Sequence, residues 1–136
     1  MTVDIKIKTR YNETDQMGVI YHANYFNWFT LGRDAIFDHI EVDYRSLEKD
    51  GIYLPVAEVN CKYIKSAYYN DELTIRTSVR SFKGVKLILD YEILRDDECI
   101  AKGYTVHGFV DRDMKPVKLR RTHREWDEKL RAASEN

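Results

Sequence analysis

The chain has 136 residues, of which 43% are hydrophobic and 33% are charged. This composition predicts one folded domain over residues 1–136 and excludes a disordered chain. The 22 basic and 23 acidic side chains leave a net charge of −1, which gives no global field to attract nucleic acid or a membrane surface. The N-terminus is unlike a signal peptide, and no apolar run is long enough to span a bilayer. We therefore expect a cytoplasmic protein.

The first half of the chain predicts one strand and one long helix. Val3, Ile5 and Ile7 alternate with polar residues, which is typical of a half-buried strand. A dense apolar run from about Asn24 to Ile40 has helical spacing and is apolar on nearly every side, which predicts a buried helix. Gly32 costs such a helix about 1 kcal/mol relative to alanine, so we expect another backbone to approach it closely.

The second half of the chain predicts mainly strands. Period-two alternation predicts strands over residues 57–63, 73–79, 85–93, 99–111 and 117–119. A short turn at Lys83-Gly84 predicts a hairpin between two of them. Cys61 and Cys99 fall at inward-facing strand positions, which indicates small buried side chains and neither a metal nor a redox pair.

The C-terminal segment predicts a further helix. Thr122 and Glu125 have the spacing of a capping box, and the charged sequence that follows to about Ala133 is typical of a helix flanking the core, over about 122–133. The order of strand, buried helix and several antiparallel strands indicates an α+β fold in which the sheet wraps around the helix. Such a sheet has exposed edges, so we expect a homodimer or a homotetramer.

The connection between the first strand and the helix contains four residues suited to chemistry: Tyr11, Asp15, Gly18 and His22. They precede a helix N-terminus, whose free N–H groups and positive dipole end stabilise a developing oxyanion beside a carboxylate. Gly18 permits a sharp turn and leaves the backbone open to a ligand. The alternative is structural: an Asx-turn at Asp15, a turn at Gly18 and a solvated His22. Spacing alone favours this alternative, although no other catalytic motif competes elsewhere in the sequence.

A family resemblance changes this balance. Residues 10–25, RYNETDQMGVIYHANY, resemble the opening motif of the 4-hydroxybenzoyl-CoA thioesterase-type hot-dog proteins, most closely the bacterial acyl-CoA thioesterases associated with the Tol–Pal system. The family pattern R-Y-x-E-T-D-x-x-G-x-x-x-H-x-N-Y fits throughout. The resemblance implies a hot-dog fold, an antiparallel sheet around a long central helix, and hydrolysis of an acyl-CoA to a free acid and CoA. It implies no metal or organic cofactor, since coenzyme A is part of the substrate.

The resemblance also implies roles for single residues. Asp15 matches the catalytic carboxylate, which either attacks the thioester carbonyl or acts as general base for water. The backbone N–H of His22 would polarise the carbonyl oxygen, with Gly18 in the same loop. The side chains of Tyr11 and His22 would orient the carboxylate or a water molecule.

In this family coenzyme A binds at a subunit interface, with its phosphates on basic surface residues. The corresponding candidates here are Arg80, Lys83, Lys86, Lys118, Arg120 and Arg121. Candidates for the border of the acyl pocket are Ile20, Tyr25, Trp28, Phe29, Tyr53 and Val59. Aromatic residues at helical spacing are also typical of a core, so both interpretations of the second set stay open.

Three alternative functions stay open as well. A dehydratase or hydratase on the same fold needs an acid and histidine placement that this motif lacks. A thioesterase that acts on acyl carrier protein would share the chemistry and differ only in its partner. A non-catalytic acyl-CoA-binding module would bind the thioester without releasing a thiol.

Overall fold

The computed structural model describes residues 1–135, which form a five-stranded antiparallel sheet and four α-helices. The strands are β1 (Thr2–Lys8), β2 (Val56–Tyr63), β3 (Glu72–Phe82), β4 (Lys86–Arg95) and β5 (Glu98–Gly108). The helices are α1 (Asn24–His39), α2 (Tyr44–Lys49), α3 (Leu119–Thr122) and α4 (Arg124–Glu135). The order of strands in the sheet is β1-β3-β4-β5-β2, so β1 and β2 are its edges. The predicted α+β arrangement is confirmed.

Helix α1 packs against the sheet and forms the centre of the core. Trp28, Phe29 and Ile36 are buried on α1, as predicted. Phe26 and Leu31 are exposed, however, so the expectation of a helix buried on nearly every side is wrong for the single chain. Both side chains are open to solvent in the single chain.

Gly32 lets α1 approach the sheet closely. A Cβ at this position would collide with Oγ1 of Thr77 and would lie 3.1 Å from Cγ2 of Ile75. The three nearest atoms belong to side chains of β3 and β4 and none is a backbone atom, so the predicted approach of another backbone is wrong. One helical turn before Gly32, the ring of Phe29 stacks on that of Tyr91 with centroids 4.3 Å apart.

Strand β2 is an edge strand whose side chains are largely exposed. The predicted strand is present and pairs with β5, but Val59 and Tyr63, which the alternation assigned to the inner face, are 39% and 45% exposed. Cys61 on the same strand is only half-buried, and so is Cys99 near the start of β5. The prediction of two fully buried thiols is therefore wrong, because one lies on a sheet edge and the other beside a turn.

The C-terminal region differs from the sequence prediction. The long strand β5 ends at Gly108, and residues 117–119 form no strand. Thr122 belongs to α3, where its hydroxyl donates to the Leu119 carbonyl, so the predicted capping box is wrong and α4 begins at Arg124. Helix α4 flanks β3 as expected, and it buries Leu130 and Ala133 in the core.

Two short helices, α2 and α3, were not expected from the sequence. Helix α2 begins after Asp43, whose carboxylate accepts hydrogen bonds from the backbone N–H groups of Arg45 and Ser46. An aspartate at this position is a common start signal for a helix. Across residues 1–135, no helix has both the length and the apolar character needed to cross a membrane.

Candidate active site

The loop between β1 and α1 doubles back on itself at Asp15. The backbone N–H of Asp15 donates to the Val19 carbonyl at 2.9 Å, and Gly18 donates to the Asp15 carbonyl at 3.1 Å. Gly18 has a φ of +80°, which glycine adopts without strain. The Asp15 carboxylate accepts the N–H of Met17 at 2.8 Å, so the Asx-turn is present. This turn fixes the carboxylate in place and is compatible with a catalytic role.

Asp15 and His22 line a common groove of about 310 Å³ at the N-terminal end of α1. The remaining walls come from the loop, from α1 and from the segment at the end of β2: Val19, Ile20, Tyr25, Tyr63, Ile64, Lys65 and Ser66. Two of the three predicted catalytic side chains and one predicted substrate-binding residue, Tyr25, are thus brought together. Gly18 lies in the same loop, outside the groove lining.

The backbone around His22 presents a free donor beside this groove. The chain tightens into a turn before α1, with Tyr25 N–H donating to the His22 carbonyl at 3.3 Å. The same carbonyl accepts the Tyr63 hydroxyl at 3.0 Å. Within residues 1–135, no hydrogen bond engages the backbone N–H of His22. This N–H is therefore free to donate a hydrogen bond to an oxyanion. Its position at a helix N-terminus adds the positive end of the helix dipole.

Tyr63 closes one side of the groove as a neutral phenol. Loss of hydration at the hydroxyl end of the side chain, with the neighbouring Cys61 thiol as the next cause, raises the pKa of Tyr63 above its usual range, although 45% of the residue is exposed. The hydroxyl therefore stays protonated and acts as the donor to the His22 carbonyl. Its ring also meets that of Tyr25 edge to face, with centroids 4.9 Å apart.

Tyr11 does not join the other two predicted catalytic residues. Its side chain is 76% exposed and packs edge-on against Tyr69, with ring centroids 5.8 Å apart. The 3₁₀ turn Tyr11–Glu13 separates it from Asp15 in the chain. Within one chain, Tyr11 therefore lies on the surface beside the loop.

Glu13 is a buried carboxylate beside the candidate site that the sequence interpretation did not single out. Its carboxylate is buried and accepts the indole N–H of Trp28 at 3.1 Å and the backbone N–H of Arg10 at 2.7 Å. Its carbonyl accepts the side-chain amide of Asn24 at 2.9 Å. Trp28, predicted to bind substrate, is instead buried and outside the groove. A buried indole N–H needs an acceptor, and an acid two residues before Asp15 was the available signal.

The predicted phosphate-binding residues lie away from this groove. Arg80 forms an ion pair with Asp90, with Nε 2.9 Å from Oδ1, and this carboxylate raises the pKa of the guanidinium. Lys83 and Lys86 flank the β3–β4 turn, where the N–H of Lys83 donates to the Lys86 carbonyl. The cation on the groove itself is Lys65, which also pairs with Glu98.

Other predicted positions are more scattered. Of the residues proposed for the acyl pocket, Ile20 lines the groove, whereas Phe29 and Val59 line a separate cavity described below. Tyr53 pairs with Val110 through an isolated bridge. Among residues 1–135, no three His, Cys, Asp or Glu side chains come together in a way that could hold a metal ion.

Comparison with known proteins identifies the family. A sequence model of the thioesterase-like superfamily matches residues 9–133. "Putative acyl-CoA thioesterase YneP" of Bacillus subtilis is 34% identical over 123 residues, covering 89% of both chains. The acyl-CoA thioesterase YbgC of Haemophilus influenzae is 26% identical, covering 82% of this chain and 83% of its own. The crystal structure of DHNA-CoA thioesterase from Staphylococcus aureus superimposes with a TM-score of 0.91 at 34% identity, covering 94% of this chain and 87% of that one.

The fold and these relatives define a thioester hydrolase with the hot-dog architecture, as the motif implied. The chain belongs to the thioesterase-like superfamily.

Proposed function

We propose that this enzyme hydrolyses an acyl-CoA thioester to a free carboxylic acid and CoA, with Asp15 as the catalytic carboxylate. The observation that carries the proposal is the groove that Asp15 and His22 line together, with the backbone N–H of His22 unpaired at the start of α1. The similarity to proteins named acyl-CoA thioesterases supports CoA as the thiol. A closer kinship to the Tol–Pal-associated enzymes stays a prediction.

The chemistry needs few groups. The His22 N–H, reinforced by the positive end of the α1 dipole, binds the thioester carbonyl oxygen and stabilises the negative charge that develops on it. The C–S bond then breaks, and CoA leaves as a thiolate. Because a free thiol has a pKa of about 8.5, this leaving group needs no strong general acid.

Two routes for Asp15 stay open. As a nucleophile, its carboxylate oxygen attacks the carbonyl carbon and forms a mixed anhydride, which water then hydrolyses. As a general base, it takes a proton from a water molecule whose oxygen attacks the same carbon. The His22 imidazole lies on the same groove and is suited to orienting that water. Tyr11 would have to change position, or act from a second subunit, to take part.

The experiment that tests the proposal is thiol release from a panel of acyl-CoAs by the Asp15→Asn variant. Asparagine keeps an oxygen that accepts the Met17 N–H, so the Asx-turn is preserved while the charge is lost. Asp38→Asn serves as the matched control, because Asp38 is an exposed carboxylate at the other end of α1. We expect loss of turnover only in Asp15→Asn. Full turnover of every acyl-CoA by that variant would refute the assigned role.

For the acyl group we propose a hydroxylated aromatic acid, because the Staphylococcus aureus relative at 34% identity is named a DHNA-CoA thioesterase. A thioester of acyl carrier protein is the alternative substrate. Lys65 on the groove is suited to a phosphate of either CoA or a carrier-bound phosphopantetheine. Rates measured with the same acyl group on both carriers decide between them.

We further propose that the enzyme is a homodimer joined through β2. This edge strand exposes Val56, Val59 and Tyr63, and Phe26 of α1 is exposed beside it. An unpaired strand with exposed apolar side chains is a template for a second strand, and a two-fold axis lets two copies of β2 pair with each other. A homotetramer built from two such dimers is the alternative.

A further inference from the structure

A second concavity lies between α1 and β2, separate from the groove that holds Asp15, and in the proposed dimer it borders the interface through β2. Its volume is about 230 Å³, and its apolar walls are formed by Phe26, Phe29, Val56 and Val59. An engineered apolar cavity of about 150 Å³ binds benzene, so this one has room for a substituted ring.

One side of the cavity is polar and buried. Oγ1 of Thr105 lies 2.8 Å from the Tyr91 hydroxyl and 2.7 Å from Nε2 of His107, and all three residues line the cavity. Each of them is at most 5% exposed. Arg33 lines the same space, and 16% of its side chain is exposed. An apolar cavity with a few convergent polar groups is the usual form of a ligand site.

Thr105, Tyr91 and His107 can form more hydrogen bonds than they form within the protein. A threonine hydroxyl has one proton and two lone pairs, and a tyrosine oxygen also keeps acceptor capacity beyond its single proton. After the hydrogen bonds that join Thr105 to Tyr91 and His107, the Thr105 and Tyr91 oxygens therefore still have lone pairs that can accept a hydrogen bond. Nδ1 of His107, turned toward the Leu54 backbone, has no hydrogen bond of normal geometry within residues 1–135. Buried polar groups with spare capacity call for a partner.

These groups are neutral at physiological pH. Burial, with the nearby Arg33 charge as the second cause, lowers the pKa of His107 to about 4. Burial raises the pKa of Tyr91 to about 12. A neutral hydroxyl on a ligand therefore matches this part of the wall, because it can donate to Thr105 without placing a charge against these three neutral side chains.

The cavity and the groove are built from the same two elements. Tyr25 of α1 and Tyr63 of β2 line the groove, whereas Phe26 of α1 and Val59 of β2 line the cavity. At a rise of about 1.5 Å per residue, Phe26 and Phe29 lie roughly 6 to 10 Å along α1 from His22. A cavity at this distance is within reach of an acyl group whose carbonyl oxygen meets the His22 N–H.

We propose that the cavity receives the acyl group of the substrate, and that Thr105, held by Tyr91 and His107, selects acyl groups that carry a neutral hydroxyl. The inference rests on the proposed thioesterase function and adds the residues that discriminate between substrates.

The test compares substrate pairs that differ by one hydroxyl: 4-hydroxybenzoyl-CoA against benzoyl-CoA, and 1-hydroxy-2-naphthoyl-CoA against 2-naphthoyl-CoA. In the wild-type enzyme the hydroxylated member of at least one pair has the higher kcat/KM. Thr105→Val removes the hydroxyl at nearly constant volume, and we expect it to lower that ratio roughly tenfold, the value of one neutral hydrogen bond. Tyr91→Phe removes one of the two groups that hold the Thr105 hydroxyl in position, so it lowers the ratio in the same direction.

Thr77→Val is the matched control. Thr77 is as buried as Thr105 and its hydroxyl has no partner within residues 1–135, but it does not line the cavity. It should leave the ratio unchanged. Equal ratios in wild type and Thr105→Val, or an equal loss for both members of a pair, would overturn the inference.

A binding measurement separates this inference from the proposed function. Calorimetry with Asp15→Asn measures the affinity for 4-hydroxybenzoyl-CoA and benzoyl-CoA without turnover. If the wild type hydrolyses no acyl-CoA, the proposed function fails. The cavity's role would still be supported if Asp15→Asn binds the hydroxylated ligand more tightly and the double variant, Asp15→Asn with Thr105→Val, loses this preference. Equal binding of both ligands would overturn it.

Discussion

The indole N–H of Trp28 donates to Oε2 of Glu13 at 3.1 Å, across 15 residues of chain and inside the protein. The other carboxylate oxygen of Glu13 accepts the backbone N–H of Arg10, whose guanidinium lies 3.6 Å away. Glu13 thereby fixes the chain two residues before Asp15 to the second turn of α1. The relative position of Asp15 and the helix N-terminus depends on this contact.

We therefore predict that Glu13→Gln lowers kcat for acyl-CoA hydrolysis roughly tenfold, with a smaller effect on KM. Glutamine keeps one acceptor oxygen, so it can satisfy either Trp28 or Arg10 but not both. Loss of alignment between Asp15 and the His22 N–H affects the chemical step more than substrate binding. Steady-state kinetics well below the melting temperature measure both constants.

Trp28→Phe removes only the indole donor and should act in the same direction. Because the two residues share one hydrogen bond, the effects of the single changes on kcat should not add in the double variant. Trp126→Phe is the control, since Trp126 packs on His123, outside the Asp15 groove. An unchanged kcat in Glu13→Gln, accompanied by a lower melting temperature, would reduce Glu13 to a structural role.

The sequence correctly predicts the parts of the molecule that are determined by residues close together in the chain. Strand β3 and helix α1 were found because burial and periodicity coincide along one segment, as at Leu73 and Ile75. Asp15 and His22 were correctly expected close together, because the loop and the helix N-terminus are adjacent in the chain. The proposed roles of these residues stay predictions.

Features that depend on distant contacts were missed. Tyr11 turns toward Tyr69, which belongs to the loop before β3, and no local pattern indicates that contact. The cavity beside Thr105 exists only because β5, β2 and α1 meet there. The exposed side chains of β2 follow from its place at the sheet edge, which alternation along a single strand does not reveal.

We predict that Gly32→Ala destabilises the protein by about 1–3 kcal/mol, although alanine is the better helix former. The added Cβ would collide with Oγ1 of Thr77, so α1 or β3 must shift. The free energy of unfolding in urea measures the loss. The Thr77 hydroxyl has no hydrogen-bond partner within residues 1–135, so removing it breaks no hydrogen bond. Thr77→Ala should therefore restore most of the lost free energy of unfolding in the double variant. Equal stability of wild type and Gly32→Ala would show that the clash is relieved elsewhere.

We predict that Val59→Lys converts the proposed dimer into a monomer. A lysine on the β2 edge places a charge where two strands would pair, which is how edge strands avoid association. Light scattering during gel filtration gives the mass directly. Met114→Lys is the matched control, because Met114 is an exposed apolar residue in a turn outside the sheet. The β2 interface is excluded if Val59→Lys keeps the mass of the wild type.

His107 makes the stability depend on pH in a defined window. Burial, with Arg33 as the second cause, lowers its pKa from 6.5 to about 4, so between these values the unfolded chain binds a proton that the folded chain does not. The free energy of unfolding therefore falls as the pH is lowered from 6.5 to 4, by about 3 kcal/mol from this residue. In His107→Gln, urea unfolding at several pH values should show a shallower slope than in the wild type. His39→Gln, at the exposed end of α1, should keep the wild-type slope. Identical slopes in all three proteins would mean that His107 titrates normally in the folded state.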